Sequence, residues 1–320
     1  MPTHELQHAI DHLYAQYRCT SHGQVATYIP ELSNANPDDF GISIVTSDGA
    51  PFETGEHDRP FTIQSISKPF TYGMALEEFG DQEVARRVSV EPSGDAFNSI
   101  ELHGLTNRPF NPMINTGAIT VTALLHARYG DTTFDYLLER FSTIAGRPLA
   151  VDEDVYESER RTGHRNRAIA HLLLNFGVVH DEAEAALDVY FRQCAIQVTS
   201  RDLAMMGATL ANMGCHPITG RSAFSIAYVK DLLSIMFTCG MYDYSGQWAY
   251  RVGVPAKSGV AGGVMAVVNR QLGIGTYSPR LDRFGNSARG IEACADLASQ
   301  LDLHVFDCMN VGSGFLNTML

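Results

Sequence analysis

Apolar residues recur with helical spacing at the start and in the middle of the chain, and with strand-like spacing near both ends. Between Leu6 and Tyr17 they predict an amphipathic first helix. Residues 40–46 and 54–64 predict two strands that flank a hairpin turn at 47–50. The second of these strands leads into the segment that carries the first candidate catalytic residues.

From residue 65 to about 240 the pattern is almost wholly helical, and glycine and proline residues divide it into segments. The predicted helices cover 65–79, 116–129, 133–145, 165–176, 182–194, 200–213 and 224–237. So many successive helices predict a separate helical lobe.

After residue 246 the strand-like pattern returns. The predicted elements are strands at 250–254, 257–259, 264–269 and 271–277, and a last helix at 287–301. Strands at both ends with helices between them predict an α+β fold, in which one mixed or antiparallel sheet is built from both chain ends with helices packed on it. We expect a single unit over 1–320, with a sheet lobe at about 1–64 and 247–320, an inserted helical lobe at about 65–246, and a site between the lobes.

Composition narrows the class of protein. The net charge of −13 argues against nucleic acid and anionic membranes as partners, because both attract basic surfaces. No run reaches the ~18 apolar residues of a membrane span, and the first residues do not resemble a signal peptide. Six cysteines without Cys-x-x-Cys spacing are expected to be reduced thiols. We therefore expect a cytoplasmic protein.

The sequence offers no pattern that is typical of a metal or cofactor site. Its twelve histidines form no His-Glu-x-x-His motif, and its cysteines have no zinc-ligand spacing. The Gly-x-Gly pairs lack the rest of a nucleotide fingerprint. We expect neither a metal nor a cofactor.

Ser65 and Lys68 lie three residues apart at the predicted junction between a strand and a helix. One helical turn brings such side chains to within about 5–6 Å, and a Ser-Lys couple is an alternative to Ser-His-Asp. Burial and the positive end of the helix would both favour the uncharged amine, which can act as a base. The same junction leaves the backbone N–H of Ser65 available to an oxyanion. Because the bare motif is common by chance, the alternative is a helix-capping serine beside a solvated lysine.

A second box, Lys257-Ser258-Gly259, lies on a predicted strand about 190 residues later. It is close to the Lys-Thr-Gly box that accompanies Ser-x-x-Lys in penicillin-recognising enzymes. Such a strand can supply a second oxyanion donor, and its glycine permits close approach of a substrate. The alternative is a lysine in a turn.

Longer stretches carry a more specific resemblance. They are Tyr28-Ile-Pro30, Gln64-Ser-Ile-Ser-Lys68, Asn111-Pro-Met-Ile-Asn-Thr-Gly117, Arg165-Asn166-Arg167, Tyr190-Phe-Arg-Gln-Cys194, Cys239-Gly-Met-Tyr-Asp243 and Pro255-Ala-Lys-Ser-Gly-Val260. In this order they resemble the serine-dependent glutaminase family, over about residues 25 to 290. The resemblance implies a β-lactamase-like fold and hydrolysis of L-glutamine to L-glutamate and ammonia. Thr116 and Ala261 depart from the family's more usual alanine and glycine or serine.

The resemblance also implies roles for individual residues. Ser65 would be the nucleophile and Lys68 its base, with Tyr242 or Tyr190 as a second acid/base group if a nearby cation lowered its pKa. It further suggests a homo-oligomer, a tetramer. The substrate contacts would be Tyr28, Ser65, Asn115, Glu159, Asn166, Tyr190, Tyr242 and the backbone of Val260.

The side chains of this set suit glutamine, which offers an ammonium, a carboxylate and an amide. Glu159 suits the ammonium, whereas the amides and phenols can serve either of the other groups. Without the resemblance each residue has a structural explanation. Glu159 would lie on a solvated charged run, Asn166 would cap a helix, and Tyr28 and Tyr190 would pack in a loop and in the core.

Two other readings remain open at this point. A β-lactam or peptide hydrolase shares both lysine boxes, although its substrates lie outside the cytoplasmic membrane. A non-catalytic sensor that stays acylated at Ser65, or a scaffold, would keep the fold alone.

Overall fold

A five-stranded antiparallel sheet is built from both ends of the chain, in the order β2-β1-β7-β6-β5. The structure is a computed structural model that describes residues 3–94, 100, 102–179 and 183–307. The strands β3 and β4 pair separately as a short two-stranded sheet. The strands are β1 Gly41–Thr46, β2 Pro51–Gly55, β3 Phe61–Thr62, β4 Gln197–Val198, β5 Ala256–Ser258, β6 Gly263–Val268 and β7 Leu272–Tyr277.

Helices fill the middle of the chain and both of its ends. They are α1 Thr3–Tyr17, α2 Ser67–Arg87, α3 Asn115–Tyr129, α4 Thr133–Ala145, α5 Glu153–Thr162, α6 His164–Asn175, α7 Ala183–Cys194, α8 Ser200–Ala211, α9 Ile226–Cys239, α10 Ser245–Arg251 and α11 Ala288–Gln300. Gly80 interrupts α2 with φ 76° and ψ 161°, which agrees with the predicted stop. Within the part of the chain that the structure describes, every helix is too short or too polar to cross a membrane.

The pairing of β1 with β7 joins the two chain ends, since Ile42 faces Thr276 across the ladder. Successive side chains of a strand point to opposite faces, so Gly273 and Gly275 of β7 share the face that is covered by α8. A Cβ at Gly273 would lie 2.2 Å from the carbonyl oxygen of Ala204, so α8 can approach this closely only because glycine is there. The predicted α+β plan is confirmed.

The other face of the sheet packs against α1 and α11 through apolar side chains such as Ile10, Ile42 and Leu297. A second core lies in the helical lobe around Phe70 of α2. Its ring centroid is 5.9 Å from that of Phe141 and 6.2 Å from that of Phe224. The first ten residues of α2 are all buried, which makes this helix the centre of the lobe and encloses whatever lies at its start.

Most predicted boundaries agree with the structure to within two residues, as is usual for helix ends. The helix predicted at 182–194 begins on a residue outside the described part of the chain and is described from Ala183. Helix α2 starts at Ser67, because residues 64–66 form a 3₁₀ turn.

The strand predicted at 250–254 is wrong, because α10 continues to Arg251. Trp248 and Val252 are four residues apart, which is helical spacing, and the N–H of Val252 bonds to the Trp248 carbonyl. Gly253, with φ 67°, then ends the segment.

The single strand predicted at 54–64 is also wrong. Strand β2 ends at Gly55, which has φ 66° and lies where a Cβ would be 2.2 Å from the Phe40 carbonyl oxygen. Strand β3 then pairs with β4 rather than with the main sheet. The break does carry a local signal that the prediction passed over, because Gly55 and Pro60 enclose four consecutive polar residues at 56–59.

Candidate active site

Lys68 lies in the first turn of α2, where it is only 1% exposed. Its Nζ donates to the carbonyl oxygen of Met113 at 3.1 Å and to Oδ1 of Asn115 at 2.7 Å, and neither acceptor is charged. Burial lowers the pKa of Lys68 to about 8, although the charges of Cys194 and Glu159 act to raise it. About a tenth of the amine is therefore uncharged at pH 7 and about half at pH 8, a shift in the direction that the sequence predicted.

Ser65 occupies the 3₁₀ turn immediately before α2 and is 6% exposed. The residue before it, Gln64, adopts a left-handed backbone with φ 49°. Non-glycine residues seldom adopt this conformation unless the surrounding structure enforces it. The turn is therefore held in place by its neighbours.

The Lys257-Ser258-Gly259 box lies directly against this turn. A Cβ at Gly259 would lie 2.9 Å from the carbonyl oxygen of Ile63 and 3.4 Å from Cβ of Gln64. Val260 follows and is 3% exposed. The predicted proximity of the two boxes is thus present, and glycine is what allows it.

Lys257 is completely buried and donates to the carbonyl oxygens of Gly240 at 2.9 Å and Ser258 at 2.8 Å. Its Nζ lies 4.1 Å from the ring centroid of Tyr242. Burial holds the pKa of Lys257 well below its usual range, and the charge of Lys68 lowers it further. This lysine fixes the strand and the aromatic ring.

Tyr242 lies in a short 3₁₀ turn and has a left-handed backbone with φ 58°. Its hydroxyl donates to the Ser258 carbonyl oxygen at 3.1 Å. Burial raises the pKa of Tyr242 to about 12, against hydrogen bonds with Ser65 and Ser258 that act to lower it. The shift is opposite to the one that a base would need, so the phenol stays protonated and can donate.

Asn115, Asn166 and Tyr190 form a connected group beside Lys68. Nδ2 of Asn115 donates to Oδ1 of Asn166 at 2.9 Å, and the Tyr190 hydroxyl donates to Oδ1 of Asn115 at 3.4 Å. Asn115 is the first residue of α3, and Asn166 lies in the first turn of α6. The N-cap of α6 is Gly163, so Asn166 does not have the capping role that was its structural alternative.

Glu159 lies on α5, a helix that the sequence analysis did not predict, and is 4% exposed. Its Oε2 has no hydrogen-bond partner among the residues that the structure describes. Burial raises the pKa of Glu159 to about 8, and the positive charge of Lys68 opposes the rise. An unpartnered buried carboxylate oxygen calls for a ligand, because such groups are otherwise hydrogen-bonded. Glu159 therefore does not lie on the solvated face that was its structural alternative.

Glu159 faces a small cavity of about 80 Å³, whose wall includes Tyr28, Asn115 and Asn166. Tyr28 also borders an outer cavity of about 840 Å³ that Val260 helps to line. With 53% of its surface exposed, Tyr28 lies at the rim between the two cavities. The wider cavity gives a ligand a route from solvent towards Glu159.

The structure also brings residues to the site that were not proposed from the sequence. Cys194 is a buried free thiol beside Tyr190, and its pKa is raised by burial and then by the charge of Glu159. Ser67 and Gln193, both fully buried, are hydrogen-bonded to each other just behind Gln64. Ser67 lies in the Gln64–Lys68 motif, and Gln193 and Cys194 lie in the Tyr190–Cys194 motif. Their place in these motifs is the sequence signal by which they could have been proposed.

No group of three potential metal-ligating His, Cys, Asp or Glu side chains is present in the described ranges. What the structure does bring together is a buried lysine one turn after Ser65, a buried phenol that bonds to Ser65, and an acid near Lys68 with an unpartnered oxygen. Together with a sheet formed from both chain ends and an inserted helical lobe, this is the arrangement of the hydrolases with a β-lactamase-like fold.

The particular family follows from comparison with known proteins. The family model described as Glutaminase matches residues 23–306, and the chain therefore belongs to the glutaminase family. A glutaminase of Nostoc sp. is 53% identical over 305 residues, which cover 95% of this chain and 91% of that protein. The predictions of the family and of glutaminase function are confirmed.

Two solved structures show the same fold. A probable glutaminase from Bacillus subtilis, complexed with 6-diazo-5-oxo-L-norleucine, matches with a TM-score of 0.84 and 35% identity, over 96% of this chain and 97% of the other. Mglu in its glutamate form matches with a TM-score of 0.87 and 45% identity, over 92% of this chain and 68% of the other.

Proposed function

We propose that this protein hydrolyses the side-chain amide of L-glutamine through an acyl ester on Ser65, with Lys68 as the base. The observation that carries the proposal is the unpartnered Oε2 of Glu159 in the cavity beside Asn115, the same residue that accepts a hydrogen bond from Lys68. A buried carboxyl at this position can lose its proton and pair with an amino-acid ammonium, whereas a site for a neutral or anionic amide has no use for it. This favours glutamine over a β-lactam.

The cavity residues suggest how the two ends of the substrate are divided. Glu159 would bind the α-ammonium, and the Asn166 amide with the hydroxyls of Tyr28 and Tyr190 would bind the α-carboxylate. The side chain of glutamine would then extend past Asn115 towards Ser65. Fixed polar groups of this kind reject analogues that leave them unpaired.

Acylation begins when the free amine of Lys68 takes the proton from Ser65 Oγ, which attacks the side-chain carbonyl carbon of glutamine. The carbonyl π bond opens, and the N–H groups of Ser65 and Val260 stabilise the oxyanion. The C–N bond then breaks as the leaving nitrogen takes a proton from the Lys68 ammonium, so that ammonia departs and a glutamyl ester remains.

Deacylation repeats these steps with water as the nucleophile. Lys68, again uncharged, takes a proton from water, and the hydroxide adds to the ester carbonyl. Collapse of the second oxyanion breaks the bond to Ser65 Oγ, which recovers its proton and releases L-glutamate. Tyr242 keeps its proton throughout and donates a hydrogen bond to the Ser258 carbonyl oxygen, next to Ser65.

Replacement of the nucleophile tests the proposal. Ser65→Ala is expected to abolish ammonia release from glutamine while the protein stays folded, because the ester cannot form. Ser234→Ala is the matched control, since this serine only bonds to a backbone carbonyl on the exposed side of α9. Appreciable turnover by Ser65→Ala would contradict the assignment, and nitrocefin hydrolysis by the unaltered protein would favour the β-lactamase alternative.

The cellular setting is a further part of the proposal. The cysteines that the structure describes are free thiols, which suits a reducing cytoplasm. We propose a cytoplasmic homotetramer in which 1–320 acts as a single catalytic unit, with L-glutamine as its partner and no cofactor. Light scattering on the purified protein and fractionation of expressing cells would test the oligomer and the location.

A further inference from the structure

Two residues of the site share an unusual backbone conformation. Gln64 and Tyr242 have φ values of 49° and 58°, which are in the left-handed region that favours glycine. Both side chains are at least nine-tenths buried. The other non-glycine residues with positive φ in the described part of the chain are Asn107, Met213, Arg270 and Asp302.

Each of these two backbones is held by a serine three residues later. Ser67 Oγ donates to the Gln64 carbonyl oxygen at 2.7 Å, and Ser245 Oγ donates to the Tyr242 carbonyl oxygen at 2.8 Å. Each serine oxygen also accepts a hydrogen bond from an N–H group. For Ser245 the donor is the backbone N–H of Met241. The hydroxyl protons are therefore directed at the two carbonyls.

For Ser67 the second partner is a side chain from another helix. Nε2 of Gln193 on α7 donates to Ser67 Oγ at 2.9 Å, so the Ser67 oxygen accepts there and its proton is left for Gln64. The Thr122 hydroxyl lies 3.5 Å from Oε1 of Gln193, which fixes the orientation of the amide. Ser67, Gln193 and Thr122 are fully buried or nearly so, and solvent does not compete with these bonds.

The Gln64 backbone determines where Ser65 points. One peptide unit separates the two residues, so rotation at Gln64 would swing the N–H and the hydroxyl of Ser65 out of line with the Lys257–Gly259 strand. The Ser67 hydroxyl is the side-chain restraint that acts directly on the Gln64 carbonyl oxygen, and it adds to the bond from the backbone N–H of Ser67.

We propose that Ser67, oriented by Gln193, is a positioning residue for the nucleophile: it locks the left-handed Gln64 so that Ser65 faces the substrate. This inference rests on the proposed role of Ser65. Ser67 and Gln193 have no exposed surface, so both would act through Ser65 and not on the substrate.

The first experiment is Ser67→Ala. Loss of the restraint should lower kcat by roughly 10²-fold, the scale of a misplaced reacting group, while KM and the affinity for glutamate change by less than about threefold. Ser67→Cys keeps a weak donor of similar size and should recover part of kcat. Gln193→Met keeps the bulk of the side chain but removes the N–H donor, and should lower kcat in the same direction by a smaller factor.

Thr71→Val is the matched control. Thr71 is a buried hydroxyl one helical turn further along α2, and it donates to the Ser67 carbonyl oxygen at 3.3 Å without touching Gln64. The kcat of Thr71→Val should stay close to that of the unaltered protein. Thermal unfolding should be recorded for every variant. If Ser67→Ala does not fold, the comparison of Gln193→Met with Thr71→Val supplies the test.

The outcomes separate this inference from the proposed function. An inactive Ser65→Ala protein with a near-normal kcat in both Ser67→Ala and Gln193→Met would overturn the positioning role alone. Equal losses of kcat in Thr71→Val and Ser67→Ala would also overturn it, since any buried hydroxyl of α2 would then matter. Full turnover by Ser65→Ala would remove the proposed function and this inference together.

Discussion

Nζ of Lys68 donates a 2.7 Å hydrogen bond to Oδ1 of Asn115, and this one amide connects the amine to the substrate cavity. Because Oδ1 is occupied by the amine and by Tyr190, Nδ2 must face Asn166, to which it donates at 2.9 Å. An amide leaves the lysine free to lose its proton, which a carboxylate at the same position would prevent. The choice of asparagine therefore keeps the base active.

Asn115→Asp tests this directly. A carboxylate within hydrogen-bond distance of Lys68 favours its ammonium form, so the acidic limb of the kcat–pH profile should move up by about 1–3 units and activity near pH 7 should fall. Asn175→Asp, at the exposed end of α6, is the control and should leave the profile in place. An unmoved limb in Asn115→Asp would show that Lys68 is not the titrating base.

The pH dependence of kcat/KM should be unusually steep on its acidic side. Both Lys68 and Glu159, each with a pKa of about 8, must lose a proton before the free enzyme can bind an ammonium and activate Ser65. Activity should therefore rise with pH with a limiting slope greater than one. Glu159→Gln should reduce this slope to one and raise KM strongly. A wild-type profile with a slope of one, or with activity that falls towards pH 8, would contradict the assignment.

Glu159 should also make stability depend on pH. Its pKa is raised in the folded state from 4.5 to about 8, so the folded state binds more protons between these values, and stability declines as pH rises through this window. Glu159→Gln cannot ionise and should unfold at a higher temperature than the wild type, by a margin that grows from pH 5 to pH 8. Calorimetry across this pH range measures the difference in unfolding temperature between Glu159→Gln and the wild type. A difference that is constant with pH would show that the pKa of Glu159 is not raised in the folded state.

Gly259→Ala should increase the distance between the two proposed oxyanion donors, the N–H groups of Ser65 and Val260. Its new methyl group would lie 2.9 Å from the Ile63 carbonyl oxygen, which is closer than ordinary contact, so the strand must move away from the Ser65 turn. We expect kcat to fall by roughly 10²-fold. Gly246→Ala is the control, since a Cβ there meets nothing within 4 Å. Comparable activity of the two variants would mean that the strand does not need to be this close.

Tyr242→Phe distinguishes a hydrogen-bond donor from a base. The phenol bonds to the Ser258 carbonyl and to Ser65 and has a pKa raised by burial to about 12, so its loss should lower kcat about tenfold, the scale of one buried hydrogen bond. The acidic limb should stay where it is, because the phenol is not the group that titrates there. Disappearance of that limb would instead assign the base role to Tyr242.

The parts of the fold and site that the sequence predicted depend on local spacing. The i, i+3 relation of Ser65 and Lys68 needs only the start of a helix, and the strand that carries Lys257 needs only its alternating neighbours. Glu159 was proposed only from the resemblance to the family, because the residues around it in the sequence do not indicate its role. Its burial depends on how α5 packs beneath the turn at Pro30–Asn34, where the Glu31 N–H bonds to Ser158. Packing between distant segments has no signature in a charged run.

Other features of the structure could not be predicted from the sequence pattern. The left-handed backbones of Gln64 and Tyr242 occur at residues that normally avoid them, so only the surrounding hydrogen bonds explain them. At 250–254 the apolar residues fit a strand as well as a helix end, and the contact between Trp248 and the Val254 carbonyl decides between them. Short apolar runs are ambiguous for this reason.

The pairing of β1 with β7 has a consequence for biosynthesis. A ribosome that has completed β1 must add more than 200 further residues before Thr276 emerges to pair with Ile42. Until then the nascent chain exposes an unpaired strand edge, and the turn with Ser65 lacks the Lys257–Gly259 strand that faces it. Catalytic competence should therefore appear only after release of the carboxyl-terminal part of the chain, and truncated translation products should be silent in an ammonia assay.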